Sequence, residues 1–292
     1  MCGGFAVEFL ALMVALGVYA YRGDGAPVQH DAWHRSLRQT LAAWMSGQGL
    51  DIAAIALPVL LLELAYLWLG GVLGGLPEFV LLVLVLLYSL GRGNLGAAVA
   101  GYLERWSRGD FQAAHQVLMD DPVAASPDTI DNPSALHAAA RRRLYYRSFE
   151  RIYAVMFWFV IGGPAAAFAY RLAWLQEADH AAKGASSFTG RLPLRDWLEW
   201  IPARLLALGF ALVGDFDACL RAWRGLFSGA APAPVEVLES CGKAALGLRD
   251  DPDGETREQL VARGAAEIDA VQVLHRRTLV VWLVVVAFLV IA

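Results

Sequence analysis

Hydrophobic positions in this chain gather into long continuous runs, separated by two extended polar segments. Runs near the length that spans ~30 Å of hydrocarbon occupy Gly4–Tyr19, Ile52–Leu69, Leu76–Leu90, Tyr153–Trp174, Ile201–Val213 and Thr278–Ala292. Each predicts a helix, because backbone groups in lipid must be satisfied within their own segment. The first and fifth runs are shorter or more polar than the rest. The fourth is interrupted by Gly162-Gly163-Pro164, which predicts a broken helix. Between the first two runs, VQHDAWHRSLRQTLAAWM places Trp33, Leu37 and Trp44 on or near one helical face and predicts a short amphipathic helix at the interface. Gly91–Arg151 reads as two helices, GRGNLGAAVAGYLERW and GDFQAAHQVLM, with Asp110 placed to cap the second. The Asp- and Pro-rich loop DDPVAASPDTIDNPS follows, and the next helix begins near Ser134. Asp253–Arg277 continues as a helix into the last apolar run, with Glu255, Arg257, Glu258 and Arg263 on its exposed faces.

Composition turns this pattern into a fold class. Of 292 residues, 58% are hydrophobic and 18% charged, and the mean hydropathy is +0.46. An ordinary soluble domain of this size is excluded, and an all-α polytopic integral membrane protein with about four to six transmembrane or re-entrant helices is expected. Residues 1–292 form one membrane domain on this reading. Residues 91–152 are a cytoplasmic helical loop, and 214–277 a cytoplasmic helical segment before the last transmembrane helix. Met1–Phe5 lacks a basic leader, so Gly4–Tyr19 reads as a retained helix. The net charge of −4 argues against nucleic acid as a partner.

The positive charges are unevenly spread: Arg92–Arg151 holds eight arginines, Arg221–Arg277 holds eight Lys plus Arg, and Gly70–Gly75 holds none. The positive-inside rule therefore places the two polar segments in the cytoplasm and the Gly-rich turn outside. Two topologies satisfy this. Six crossings would leave Leu175–Leu194 outside despite Lys183 and Arg191. If segments four and five are re-entrant or interfacial, Arg92–Arg277 stays on one side. Cys2, Cys219 and Cys241 show no ligand spacing and read as free thiols or small core residues.

Candidate chemistry is sparse. His30 and His34 are four apart but lack a third strong ligand, so a solvated interfacial helix is expected over a metal site. The carboxylates of Asp120, Asp121, Asp128 and Asp131 suit Mg²⁺ with a nucleotide, or a solvated connector. Arg141, Arg142 and Arg143 form a candidate anion-binding set, or fix topology by charge alone. Arg171, Arg191, Arg195, Asp196, Glu199 and Arg204 gather around Trp197 and Trp200 near the fifth run. Charges at membrane depth either pair or serve a site. Asp196, Trp200 and Arg204 are spaced four apart and share a helical face. No P-loop, GxSxG, HExxH or dinucleotide fingerprint is present.

The blocks GRGNL and GDFQAA, then RSFERIYAVMFWFVIGGPAAAFAYRL (Arg147–Leu172), then RDWLEWIPARLLAL (Arg195–Leu208), resemble the AmpE family. That family is linked to β-lactamase induction and wall recycling in the inner membrane of Gram-negative bacteria. More remotely, the same blocks resemble the CobD/CbiB membrane synthases of cobalamin assembly, with Asp110, Trp158, Gly163, Pro164, Arg171, Asp196, Trp200, Pro202 and Arg204 at matching positions. YRSFERIYAV (Tyr146–Val155) stands where the synthases carry E-N-x-x-D-G-V, and DDPVAASPDT replaces their G-R-D-T turn. The resemblance implies a multi-pass inner-membrane regulator or sensor. Its ligand pocket would be built from Asp110, Arg171, Asp196, Trp200 and Arg204, with Arg141–Arg143 recruiting anionic groups. The ligand would be a wall fragment or a nucleotide, with Mg²⁺ as the one cofactor implied, and the partners membrane lipids and a signalling protein. A membrane-embedded ATP/Mg-dependent ligase or transferase is the alternative implied by the synthases.

Overall fold

The computed structural model describes residues 2–23, 28–69, 75–119, 132–182, 194–226, 232–248 and 255–291. Asp120, Asp121, Asp128, Asp131, Lys183 and Arg191 lie outside the described residues, as does most of the Gly70–Gly75 turn. Among the described residues every regular element is helical. The helices are α1 (Cys2–Arg22), α2 (Ala32–Leu41), α3 (Gly47–Leu69), α4 (Leu76–Ser89), α5 (Leu95–Ser107), α6 (Phe111–Met119) and α7 (Pro133–Ser148). A π-helical turn (Phe149–Tyr153) joins α7 to α8 (Ala154–Ala182), and α9 (Leu194–Val213), α10 (Phe216–Leu226), α11 (Pro234–Leu246) and α12 (Arg257–Ile291) complete the chain.

Among the described residues, three helical stretches are long and apolar enough to cross a membrane: Gly47–Leu69, Pro133–His180 and Arg257–Leu289, with Leu76–Ser89 a shorter apolar helix. The first and fifth apolar runs are both helical, in α1 and α9, but neither is among those three stretches.

Helix boundaries follow local chemistry. Asn94 accepts from the Ala97 N–H at 2.9 Å and Asp110 from the Ala113 N–H at 3.2 Å, capping α5 and α6. Asn132 caps α7 through the Ser134 N–H, with Pro133 at the first helical position. Inside α8, Gly162 and Gly163 leave helical geometry, and Gly163 takes φ 63°, ψ −160°, a conformation essentially reserved for glycine. The Gly-Gly-Pro break expected from the sequence is thus a real interruption.

Two further prolines sit inside helices, and each removes the N–H that would bond the carbonyl four residues back. Pro58 releases the Ala54 carbonyl, which the buried His34 ring takes up. Pro202 releases the Leu198 carbonyl, which accepts the Trp158 indole N–H at 3.1 Å. In both cases a ring N–H from another helix replaces the lost backbone bond.

The chain divides into two compact units. The first comprises 1–93, 154–198 and 285–292; in it α1 packs on α4, α2 on α3, and both α3 and α4 on α8. Trp33 of α2 stacks on Phe168 of α8 with ring centroids 6.1 Å apart, anchoring the amphipathic helix to the bundle. The second unit comprises 94–153 and 199–284. Its α5 packs on α6, α6 and α11 on α7, and α10 on α11. Trp106 lies in its core, over Gly264 of α12, where a Cβ would come within 2.6 Å of the indole.

Candidate functional site

His137 and Arg141 are four apart on α7, and Arg263 and Glu267 four apart on α12, so each pair shares a helical face. The two faces meet in the second unit, where His137, Arg141 and Glu267 are all buried. Glu267 is the hub. Its Oε2 accepts from Arg141 Nη1 and lies 3.1 Å from His137 Nε2, while its Oε1 accepts from Arg263 Nη1 at 2.8 Å. Arg263 also forks onto Glu255, at 2.8 to 3.1 Å. This arginine is therefore not on an exposed face, as its sequence position suggests; it is tied between two carboxylates. The Arg263 hydrogen bonds hold the Glu255 carboxyl below its ordinary range.

An ionised carboxylate only accepts, so His137 Nε2 carries a proton and Nδ1 faces the Tyr102 hydroxyl at 2.8 Å. The result is a buried Tyr102–His137–Glu267 chain braced by two arginines, with Trp106 stacked 5.6 Å from Tyr102. Such a network holds its geometry because breaking any member strands a charge in low dielectric.

A second constellation surrounds the π-turn, which buries Phe149, Glu150, Arg151 and Tyr153. Single π-turns inside helices cluster at functional positions. Just before it, the Tyr146 hydroxyl donates to Glu199 of α9, 2.9 and 3.1 Å from its two oxygens. One helical turn along α9, the Arg204 guanidinium stacks on the Trp200 ring at 3.9 Å and donates to the Trp200 carbonyl at 2.9 Å and the Pro232 carbonyl at 3.4 Å. Arg204 is buried, whereas Trp200 keeps an exposed face.

The residues singled out in the sequence fall into several places. Trp200 and Arg204 are brought together; Asp110 is an exposed helix cap. In the first unit, Arg171 is fully buried, donates to the Ser89 carbonyl at 2.5 Å and lies 5.1 Å over Trp174. Asp196 is exposed, 3.7 Å from Arg195, which also reaches Glu177 at 3.4 Å. The arginine triplet does not form one platform. Arg141 turns inward to Glu267, Arg142 lies 3.5 Å from Glu239 on α11, and Arg143 is buried. His30 precedes α2, so it does not share a helical face with His34, which is buried rather than solvated.

Sequence reading missed Glu267, His137 and Tyr102 as a set, although the paired i,i+4 spacing on α7 and α12 was available. It also missed two interlocks in the first unit. Asp31 bonds Arg92 at 2.5 Å and Tyr88 at 3.0 Å; burial works against its charge, but Arg92 and Tyr88 hold the carboxyl below the ordinary range. Arg38 meets Asp51 at 2.7 Å and His180 at 2.8 Å, locking α2 to α3 and α8.

Among the described residues, an all-helical architecture, three helices fit to cross a membrane and charges held in buried networks define a polytopic integral membrane protein with polar clusters inside its units. Comparison with known families gives the particular one: the profile described as "Regulatory signalling modulator protein AmpE" matches residues 9–292, and the chain belongs to the AmpE family. Protein AmpE of Shigella flexneri is 28% identical over 205 residues, covering 65% of each chain. The cobalamin biosynthesis protein CobD of Stutzerimonas stutzeri is 31% identical over 172 residues, 58% of this chain and 54% of that protein. The matched stretches thus span less than two-thirds of either relative's length. No solved structure matches.

Proposed function

We propose that this protein is an inner-membrane signalling modulator that tunes β-lactamase induction in response to cell-wall recycling. The observation that carries the reading is the family match across residues 9–292. The ligand is an anionic small molecule, a wall fragment or a nucleotide, taken up at the exposed Trp200 face with Arg204 stacked behind it. A ring plane backed by a guanidinium offers both stacking and charge to such a ligand. Binding there would bias the packing of α9, whose neighbouring Glu199 is tethered to Tyr146 beside the π-turn. A ligand shifts output only as far as it prefers one packing over the other.

The test is inducible β-lactamase in a host lacking its own family member, complemented with this chain or with Trp200→Ala or Arg204→Lys. Restored regulation by the parent and its loss in both variants, at equal membrane abundance, is expected. No effect of the parent chain on induction would overturn the proposal.

A second reading rests on the 31% identity to CobD: an ATP/Mg-dependent ligase or transferase. It predicts that Mg-nucleotide raises the melting temperature of the detergent-purified protein by mass action, and that Asp196→Asn removes the effect. A shift with muropeptides alone favours the modulator.

A further inference from the structure

In the second unit, α9 has two unlike sides. Ile201, Leu205, Leu208 and Leu212 recur at intervals of four, three and four and are 40–67% exposed, forming one uninterrupted apolar stripe. The opposite side is buried. It carries Glu199, bonded to Tyr146, while Arg204, buried on the flank between the two sides, is bonded to the Trp200 and Pro232 carbonyls. Ala207 on the buried side packs with Val237 and Cys241 of α11 and with Trp223 and Leu226 of α10. Both covering helices carry exposed charges, Asp217, Arg221 and Arg224 on α10 and Glu236 on α11. A helix backed by such helices along its middle cannot be ringed by lipid, as a spanning helix at the edge of a bundle would be.

Its contact with α12 fixes the level. Gly209, near the middle of the stripe, sits so close to α12 that an added Cβ would meet Thr278 at 2.6 Å and Trp282 at 3.2 Å. Phe210 packs edge-on to His275 with ring centroids 5.2 Å apart. Thr278 opens the last apolar run, so α9 meets α12 where that helix turns from polar to apolar. Beyond this point Val280 and Val284 of α12 are exposed, continuing the apolar surface away from α9. Charged residues bracket α9, with Arg195 and Asp196 at its start and Asp215 and Asp217 after its end.

We propose that α9 is an in-plane membrane helix. Its stripe of Ile201, Leu205, Leu208 and Leu212 rests among the acyl chains just below the phospholipid headgroups, with the second unit docked on that leaflet. The helix does not cross, and the segments before and after it stay on the same side. Amphipathic in-plane helices sink about 5–10 Å below the headgroup boundary along their whole length.

The experiment is nitroxide depth measurement in proteoliposomes of the full chain, with single labels at Ile201→Cys, Leu205→Cys, Leu208→Cys and Leu212→Cys. One common depth for all four is expected. A steady change of about 16 Å from 201 to 212, the rise of a helix along the bilayer normal, would overturn the proposal, as would exposure of all four to water. Side-specific labelling gives an independent reading that leaves the stripe intact. Leu194→Cys and Asp217→Cys, in a chain lacking Cys2, should react with an impermeant maleimide from the same face of the membrane. Reaction from opposite faces would refute an in-plane helix.

Discussion

Replacing Glu267 with glutamine tests whether the buried network organises the second unit. Glu267 faces Arg141, Arg263 and His137, with Arg141 and His137 themselves buried. The amide keeps the side chain's shape but loses its charge, and in either orientation its NH₂ faces an arginine that can only donate. Arg141 would be left without that carboxylate in low dielectric, and removing one partner of a buried pair costs about 3–5 kcal/mol. For a unit of this size that corresponds to a fall in melting temperature of roughly 10 °C. The assay is thermal unfolding in detergent followed by tryptophan fluorescence, since the buried Trp106 ring lies 5.0 Å from His137. Arg142→Ala is the control: that side chain is half-exposed and 3.5 Å from Glu239, so its loss should cost about 1 kcal/mol or less. If Glu267→Gln melts with the parent, or no lower than Arg142→Ala, the network is not what holds α7 to α12.

Gly163→Ala should destabilise by about 1–3 kcal/mol, because φ 63°, ψ −160° excludes a Cβ; unchanged melting would mean that the break in α8 can be straightened without cost. His34 is held below its ordinary pKa by burial, so the unfolded chain takes up a proton near pH 6.5 that the folded chain resists. Stability should therefore be full above that pH and fall as pH drops below it, a slope that His34→Gln should flatten in pH-dependent melting curves. Burial pushes the Cys219 thiol up to about 11 and the Cys241 thiol up to about 12. Neither should react with maleimide at neutral pH until the protein unfolds, and rapid labelling of either in the folded state would show that the packing of α10 against α11 is open.

Local signals in the sequence settled much of the fold. Apolar runs fixed the helices, since a backbone in lipid has no other way to satisfy its amides. Gly162-Gly163-Pro164 marked the break in α8, Asp110 marked the start of α6, and the start of α7 was placed near Ser134, one residue inside its first residue Pro133. The family resemblance lay in blocks that survive as strings. What the sequence could not decide is which charges meet. Arg141, Arg142 and Arg143 are adjacent letters, yet a helix turns 100° per residue and sends them to Glu267, to Glu239 and to a third buried position. His137 and Glu267 are 130 residues apart and become partners only when α7 packs on α12. The fifth apolar run shows the same limit. Its composition marks it as membrane-loving, but whether lipid surrounds it or touches one side depends on which helices cover its back, and only the tertiary structure supplies α10 and α11 for that.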